Sequence, residues 1–334
     1  MLLEDQIKSE ILLKKRDMRL DIFLNKLIYE KKGYYINKKP IGKKNDFITA
    51  PEVSQMFGEI IGLYLYYIWK TEINSKFNFI ELGPGKGTLF KDIANTVSNF
   101  PDFFNQSRIT FIEINKELIK LQKSEINKKK LNIDWRKSIN FDSNNPSIIY
   151  SNEFFDCFPI RQFVYNKSWF EKYVSLNKDE NRLYFKEKIV NNRSLLSVLK
   201  NYKKEKLSEI SFERNKYFEN ICKFIKKRGG LFFTIDYGYI KNVKNFTLQA
   251  IQNHNYSHVL ENIGEKDISS HVNFNDLLNI ANDNQLKIEE YCTQREFLIK
   301  YGILERKKNL SKSSNLINHK LINLELNRLI NNKE

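Results

Sequence analysis

No stretch of this 334-residue chain stays apolar for the roughly 18–20 residues that a membrane-spanning helix needs. The richest candidate, "FGEIIGLYLYYIWK", is shorter and carries Glu59, so it reads as a buried helix and no membrane insertion is expected. Cysteine is scarce. Cys157, Cys222 and Cys292 lie far apart, with no CxxC and no histidine-rich companion. That count and spacing exclude a disulfide framework and give no basis for zinc, so no metal is expected and a reducing compartment fits. The start, "MLLEDQIKSEILLKKRDM", has acids early and no long apolar core, which matches neither a signal peptide nor a transit peptide. No internal repeat is visible.

Long single-sign charge runs are also missing. The net charge is +16, yet no basic run exceeds three residues, as in "KKK" at 128–130 and "KKR" at 226–228. Scattered lysines mixed with acids and asparagines read first as a compositional bias; attraction to an acidic protein or a nucleic acid is the alternative. A hydrophobic fraction of 41% with 13% aromatics indicates a globular chain with a full core.

What is present is a change of texture along the chain. Residues 1–32 read as an amphipathic helix, with Ile7, Ile11, Leu12, Phe23, Leu24, Leu27 and Ile28 at helical spacing. "KKGYYINKKPIGKKNDFI" breaks that pattern and reads as a loop. "TAPEVSQMFGEIIGLYLYYIWK" opens on Thr49 as N-cap, with Glu52 at capping-box spacing and Pro51 in the first turn, and predicts a helix to about Trp69. From residue 76 strands and helices alternate: "FNFIEL", "GTLFKDIANTV", "RITFIEI", "NKELIKLQKSEINKK", "LNIDW", "SIIYSNEFF" and, after an interruption, "GGLFFTIDYGY". Apolar strands alternating with helices imply an α/β fold, a parallel sheet wrapped on both faces. The interruption contains "RQFVYNKSWFEKYVSL" and "NRLYFKEKIV", which alternate like antiparallel strands, then the helix "ERNKYFENICKFIKK". The expected organisation is an N-terminal helical region with a lid segment (1–72), the first half of a core domain (73–159), an inserted subdomain (160–227), the second half (228–307) and a polar tail (308–334).

The chemistry concentrates at strand ends. "ELGPGKG" places Gly83, Gly85 and Gly87 in a tight turn behind an acidic strand end. A Walker loop would need Gly-Lys-Ser/Thr, and Lys86 is followed by Gly87; a dinucleotide fingerprint would need glycine where Thr88 stands. Glu81 is a poor neighbour for pyrophosphate and a good one for a cation such as S-adenosylmethionine. The alternative is a structural turn. "FIEIN" sets Glu113 at the end of the second strand, where a carboxylate accepts both ribose hydroxyls. It lies somewhat beyond the roughly 20 residues of a minimal unit, with "NFPDFFNQSR" as the intervening loop. "YSNEFFDCFP" delivers Asn152, Glu153 and Asp156 past a buried run. They read as groups that hold a nitrogen nucleophile in line with a sulfonium methyl, or else as helix caps. For an arginine acceptor, paired carboxylates would localise the guanidinium charge on one side. "TIDYGY" adds Asp236 and Tyr237 to the same rim, with core packing the alternative for the tyrosine.

Seven motifs in order resemble one family: "GYYINKKPIGKKNDFITAPEVSQMFGEIIG", "ELGPGKGTL", "NEFFDCFP", "IDYGY", "TLQAIQNH", "DISSHVNF" and "TQREFLIKYGI". They are similar to the MidA family, which includes a mitochondrial assembly factor of respiratory complex I. The resemblance implies a class I, Rossmann-like S-adenosylmethionine-dependent methyltransferase. It implies symmetric dimethylation of an arginine on a core subunit of NADH dehydrogenase, with S-adenosyl-L-methionine as cofactor. Carried over by motif, Glu81, Gly83, Gly85, Gly87 and Thr88 would surround the methionine part of the cofactor and Glu113 its ribose. Asn152, Glu153 and Asp156 would face the acceptor, and Thr49–Glu52 would form a lid near the same cleft as Asp236 and Tyr237. Asn273 departs from a usual aspartate and Phe212 from a usual proline, and "DWRKS" has no obvious acid for the adenine amino group. Localisation would be cytoplasmic in a bacterium and in the mitochondrial matrix in a eukaryote. A homodimer is left open. Two other functions stay in view: methylation of nucleic acid, which the net charge favours and the lack of a clustered basic and aromatic track disfavours, and an assembly chaperone with a vestigial site.

Overall fold

The computed structural model describes residues 2–30, 33, 49–126, 131–140, 143–202, 206–241, 243–252, 255–312 and 316–331. The loop expected over 31–48 lies, Gly33 aside, outside the described residues. The chain forms two compact units. One comprises Ile41–Glu153, Ile221–Ile235 and Gln285–Glu334; the other comprises Met1–Pro40, Phe154–Asn220 and Asp236–Asn284.

The first unit holds the expected parallel sheet. Its strands β1 (Phe77–Leu82), β2 (Ser107–Ile112), β3 (Ile133–Arg136), β4 (Ser147–Asn152) and β5 (Gly230–Ile235) pair in the order β5-β4-β1-β2-β3. Every pairing is parallel. Parallel neighbours require crossover connections. Helix α1 (Gln55–Ile68) precedes the sheet, α2 (Thr88–Val97) joins β1 to β2, and α3 (Lys116–Ile126) joins β2 to β3. All six residues of β1 are buried, as a strand covered on both faces demands. The connections run one way from β1 to β2 and β3, while β4 and β5 lie on the other side of β1. Such a reversal opens a crevice beyond the carboxyl ends of the strands, where ligands of doubly wound sheets bind.

Helix α1 lies close against α2 because Gly58 has no side chain. A Cβ there would stand 2.6 Å from the Cβ of Asp92. The contact joins Phe57, Ile61 and Leu65 to Phe90 and Ile93 in one core with Phe79 and Phe111. Two sequence expectations are corrected here. The helix predicted from Thr49 is interrupted: a short helix spans Ala50–Val53, Ser54 is extended, and α1 starts at Gln55 with the Ser54 side chain accepting the Met56 N–H. The stretch "NFPDFFNQSR" is not all loop, since Pro101–Gln106 is helical and buries Phe103. The tail, polar with a weak helical stripe in its sequence, contains the helix Leu316–Leu329, whose Leu326 and Leu329 enter the same core.

The second unit begins with two helices, Leu3–Lys14 and Leu20–Tyr29, in place of one amphipathic helix. Lys15 turns left-handed (φ 48°), and Met18–Arg19 pairs antiparallel with Tyr173 and Val174. Strands Arg161–Asn166, Ser168–Asn177 and Arg182–Ile189 complete that antiparallel sheet, as the alternation predicted, and Leu207–Ile210 adds a strand the sequence reading does not contain. Ile7, Ile11, Phe23, Leu24 and Leu27 from the helices pack with Val174 and Ile160.

Candidate active site

In the first unit the chain leaves β1 into the glycine turn. Gly83, Gly85 and Gly87 have φ of 60°, 56° and 81°, a left-handed run that side chains resist. Gly83 N–H donates to Ile112 O (3.0 Å) and Gly87 N–H to Pro84 O (2.7 Å), which folds the turn tightly onto the N-terminus of α2. A Cβ on Gly87 would press on Ile126 Cδ1 at 3.2 Å, so both the backbone conformation and the space there disfavour a side chain.

Two carboxylates border this turn. Glu81 sits in β1 opposite Tyr150 of β4, and the Tyr150 hydroxyl donates to Glu81 Oε2 at 3.0 Å. Burial raises the Glu81 carboxyl to about 8, the tyrosine hydrogen bond opposes that rise, and the charge of Glu113 adds to it. Glu113 follows β2 and is 7% exposed. Its Oε1 accepts the Asn115 N–H (2.8 Å) and its Oε2 accepts Gln122 Nε2–H (3.3 Å). Burial lifts this carboxyl above the usual range, with the Asn115 and Ile114 amides and Gln122 opposing.

Gln122, on α3, is fully buried and was not singled out in the sequence. Its Nε2 also donates to Gly85 O at 2.7 Å, and its Oε1 accepts the Trp135 indole N–H at 2.9 Å. Glu52 turns toward the glycine turn. It accepts the Thr88 hydroxyl on Oε1 and Lys86 Nζ on Oε2 at 3.2 Å. The capping box expected between Thr49 and Glu52 therefore does not form. Thr49 caps through its carbonyl alone, accepting the Glu52 and Val53 N–H groups, because a lysine and a hydroxyl compete for the glutamate.

At the end of β4, Glu153 is left-handed (φ 48°), a costly conformation for a bulky side chain. Its N–H donates to Ile235 O, and Asn152 Nδ2 donates to Glu153 Oε1 at 3.2 Å. The buried Asn152 Oδ1 has no hydrogen-bond partner among the described residues.

Within the second unit, Asp156 keeps some exposed surface, but its carboxyl is enclosed by protein. Burial raises it to about 6, against hydrogen bonds from Cys157 and the charge of Arg214. Asp236 Oδ2 accepts three consecutive backbone N–H groups, of Phe154 (3.1 Å), Phe155 (2.8 Å) and Asp156 (3.3 Å), and Oδ1 accepts the Tyr237 N–H (2.9 Å). Its carboxylate is thus committed to the backbone of the "NEFFD" segment. Tyr237 is 47% exposed. Asn273 caps the helix Phe274–Asp283 through its side chain, the task an aspartate would also perform.

The model of a family described as "Putative S-adenosyl-L-methionine-dependent methyltransferase" matches residues 60–292. The chain belongs to this family. It is an S-adenosyl-L-methionine-dependent methyltransferase, and the left-handed glycine cradle with a buried acid on each side fits that cofactor: the turn offers bare backbone, and Glu113 keeps acceptor capacity for hydroxyls. Among curated relatives, "Protein arginine methyltransferase NDUFAF7 homolog, mitochondrial" of Caenorhabditis elegans is 31% identical over 83% of this chain and 71% of its own length. The Danio rerio and Homo sapiens proteins named protein arginine methyltransferase NDUFAF7, mitochondrial, are 28% and 26% identical, over 84% and 85% of this chain and 72% and 69% of theirs. The fold of this methyltransferase is also that of a Burkholderia thailandensis protein crystallised with S-adenosyl-homocysteine, with TM-score 0.85 and 17% identity over 99% of this chain and 88% of that one. No helix among the described residues is long and apolar enough to cross a membrane.

Proposed function

We propose that this methyltransferase modifies an arginine of a protein, a core subunit of respiratory NADH dehydrogenase during assembly. The observation that carries the reading is the pair Asn152 and Glu153: a buried amide oxygen with no hydrogen-bond partner among the described residues, beside a carboxylate held in a strained backbone. The amide oxygen is an acceptor that a donor-only group such as guanidinium satisfies, and the carboxylate beside it offers the opposite charge. The names of the relatives point to the same acceptor.

When bound, S-adenosyl-L-methionine supplies an electrophilic sulfonium methyl. Gly83, Gly85, Gly87 and Thr88 would seat its methionine part, with Glu81 balancing positive charge, and Glu113 would take the ribose hydroxyls. Thr49–Glu52 would serve as the lid, latched by Glu52 on Thr88 and Lys86. Asn152 and Glu153 would orient the guanidinium and localise its charge, so that one nitrogen is free to attack. The proton that nitrogen gives up goes to a base, and the motif resemblance alone assigns that part to Asp156, whose carboxyl burial raises to about 6. Most of the acceleration would come from positioning, worth up to roughly 7–11 kcal/mol in the best cases. Asp236 and Tyr237 complete the acceptor segment, Asp236 by bracing it. The compartment would be the bacterial cytoplasm, or the mitochondrial matrix if the source is eukaryotic.

Incubating the protein with methyl-labelled cofactor and isolated NADH dehydrogenase subunits tests this. Methylarginine on one subunit, lost with Glu153→Gln, is expected. Label on lysine or nucleic acid, or none while the cofactor binds, overturns the acceptor assignment.

A further inference from the structure

The amide of Gln122 is locked in one orientation. An indole N–H only donates, so the amide oxygen must face Trp135 (2.9 Å), and both Nε2 hydrogens then point to Gly85 O (2.7 Å) and Glu113 Oε2 (3.3 Å). A flipped amide would set N–H against N–H and oxygen against both a carbonyl and a carboxylate. With Gln122 fully buried, no water relieves those contacts.

Three elements meet at this one side chain: the glycine turn after β1, the acid after β2, and β3 through Trp135. Pinning Gly85 O holds a residue whose φ of 56° would otherwise be one choice among many for glycine. Fixing Glu113 Oε2, while the Asn115 N–H fixes Oε1, orients the carboxylate and spends one acceptor position on each oxygen. An ionised carboxylate has about four such positions, and the Ile114 amide takes a third, so about one is left for a ligand hydroxyl.

We propose that Gln122 is a positioning residue for the cofactor: keyed by Trp135, its amide holds the glycine turn and the ribose carboxylate in fixed register before the cofactor arrives. This rests on the reading that Glu113 takes the ribose. The residue acts through Gly85 and Glu113.

Calorimetric titration with S-adenosyl-L-methionine tests it, with kcat measured separately at saturating cofactor. Gln122→Met is expected to raise Kd about tenfold to a hundredfold, in the range of lost outer-shell support at ligand sites, with kcat within about twofold. Trp135→Phe frees the amide to flip and is expected to raise Kd by a smaller factor. The double variant should match Gln122→Met alone, because Trp135 acts only through Gln122. Lower Tm with unchanged Kd, or factors that multiply in the double variant, overturns the proposal. If Gln122→Met does not fold, the Trp135→Phe titration decides: an unchanged Kd overturns the proposal and a raised one supports it. Glu113→Gln separates the two levels. Unchanged affinity there refutes the ribose reading, and with it this proposal. Weakened affinity there with a normal Gln122→Met refutes the positioning role only.

Discussion

The Asp236 carboxylate and the backbone of Phe155 are joined by a 2.8 Å hydrogen bond, and the same Oδ2 takes the N–H groups of Phe154 and Asp156 on either side. Three consecutive amides converging on one oxygen form an anion-binding concavity filled by a side chain of the protein itself. The conformation that presents Asp156 is therefore set from "IDYGY", a different part of the chain.

Asp236→Ala should then lose methyl transfer by at least about tenfold while leaving cofactor affinity unchanged. Orphaning up to three amides should also cost stability, on the order of 1–3 kcal/mol for each that water does not reach. Calorimetry for the cofactor, turnover for the acceptor and urea unfolding separate these effects. An equal loss of cofactor affinity would contradict a local bracing role.

Glu81 predicts a pH dependence of cofactor binding. Its carboxyl is raised to about 8 by burial, so it is largely protonated at pH 7 and must ionise to balance a cation. Affinity should rise with pH toward 8, by up to about tenfold per unit, with proton release visible as a buffer-dependent binding enthalpy. The stability effect has the opposite sign. A carboxyl whose folded value lies above its unfolded value stabilises fully below the unfolded value and loses that contribution as pH rises toward 8. Glu81→Gln should flatten both dependences, weaken cofactor binding and raise Tm. A flat wild-type affinity between pH 6 and pH 8 would sink the assignment.

Arg214 is buried, and none of its three side-chain nitrogens has a hydrogen-bond partner among the described residues. Its charge lowers the Asp156 carboxyl against a larger desolvation effect. With Asp156 ionised in the active form, the transfer rate should rise as pH passes about 6. Arg214→Met should move that limb upward, by up to about one unit at the typical strength of such charge effects. A profile unmoved by the substitution would separate Arg214 from the reaction.

Gly87→Ala should destabilise the fold by about 1–2 kcal/mol, the usual scale of a left-handed penalty. The new methyl would also press on Ile126 Cδ1. Cofactor affinity should fall as well, since the turn is displaced. Equilibrium unfolding and calorimetry on the same preparation check both, and wild-type values in either would argue that the cradle yields.

The sheet was legible because its strands are short apolar runs between helices. Glu81 and Glu113 stood out as acids interrupting such runs. Gln122 did not, since on paper it is one polar residue among lysines in "KELIKLQKSEI". Tyr150 likewise looks like core until its hydroxyl is seen on Glu81. The Thr49–Glu52 spacing met the capping-box rule and still misled, because sequence spacing carries no information about the competing Lys86 and Thr88 partners, 34 and 36 residues away.

By itself the sequence determined the α/β architecture, the glycine turn and the two acids that border it, since periodicity and local backbone preference act over a few residues. Which polar side chains meet was decided only by tertiary structure. Gln122 reaches Gly85 across 37 positions, and Asp236 reaches Phe155 across 81. Contacts at that range depend on strand order and register, which no local pattern encodes.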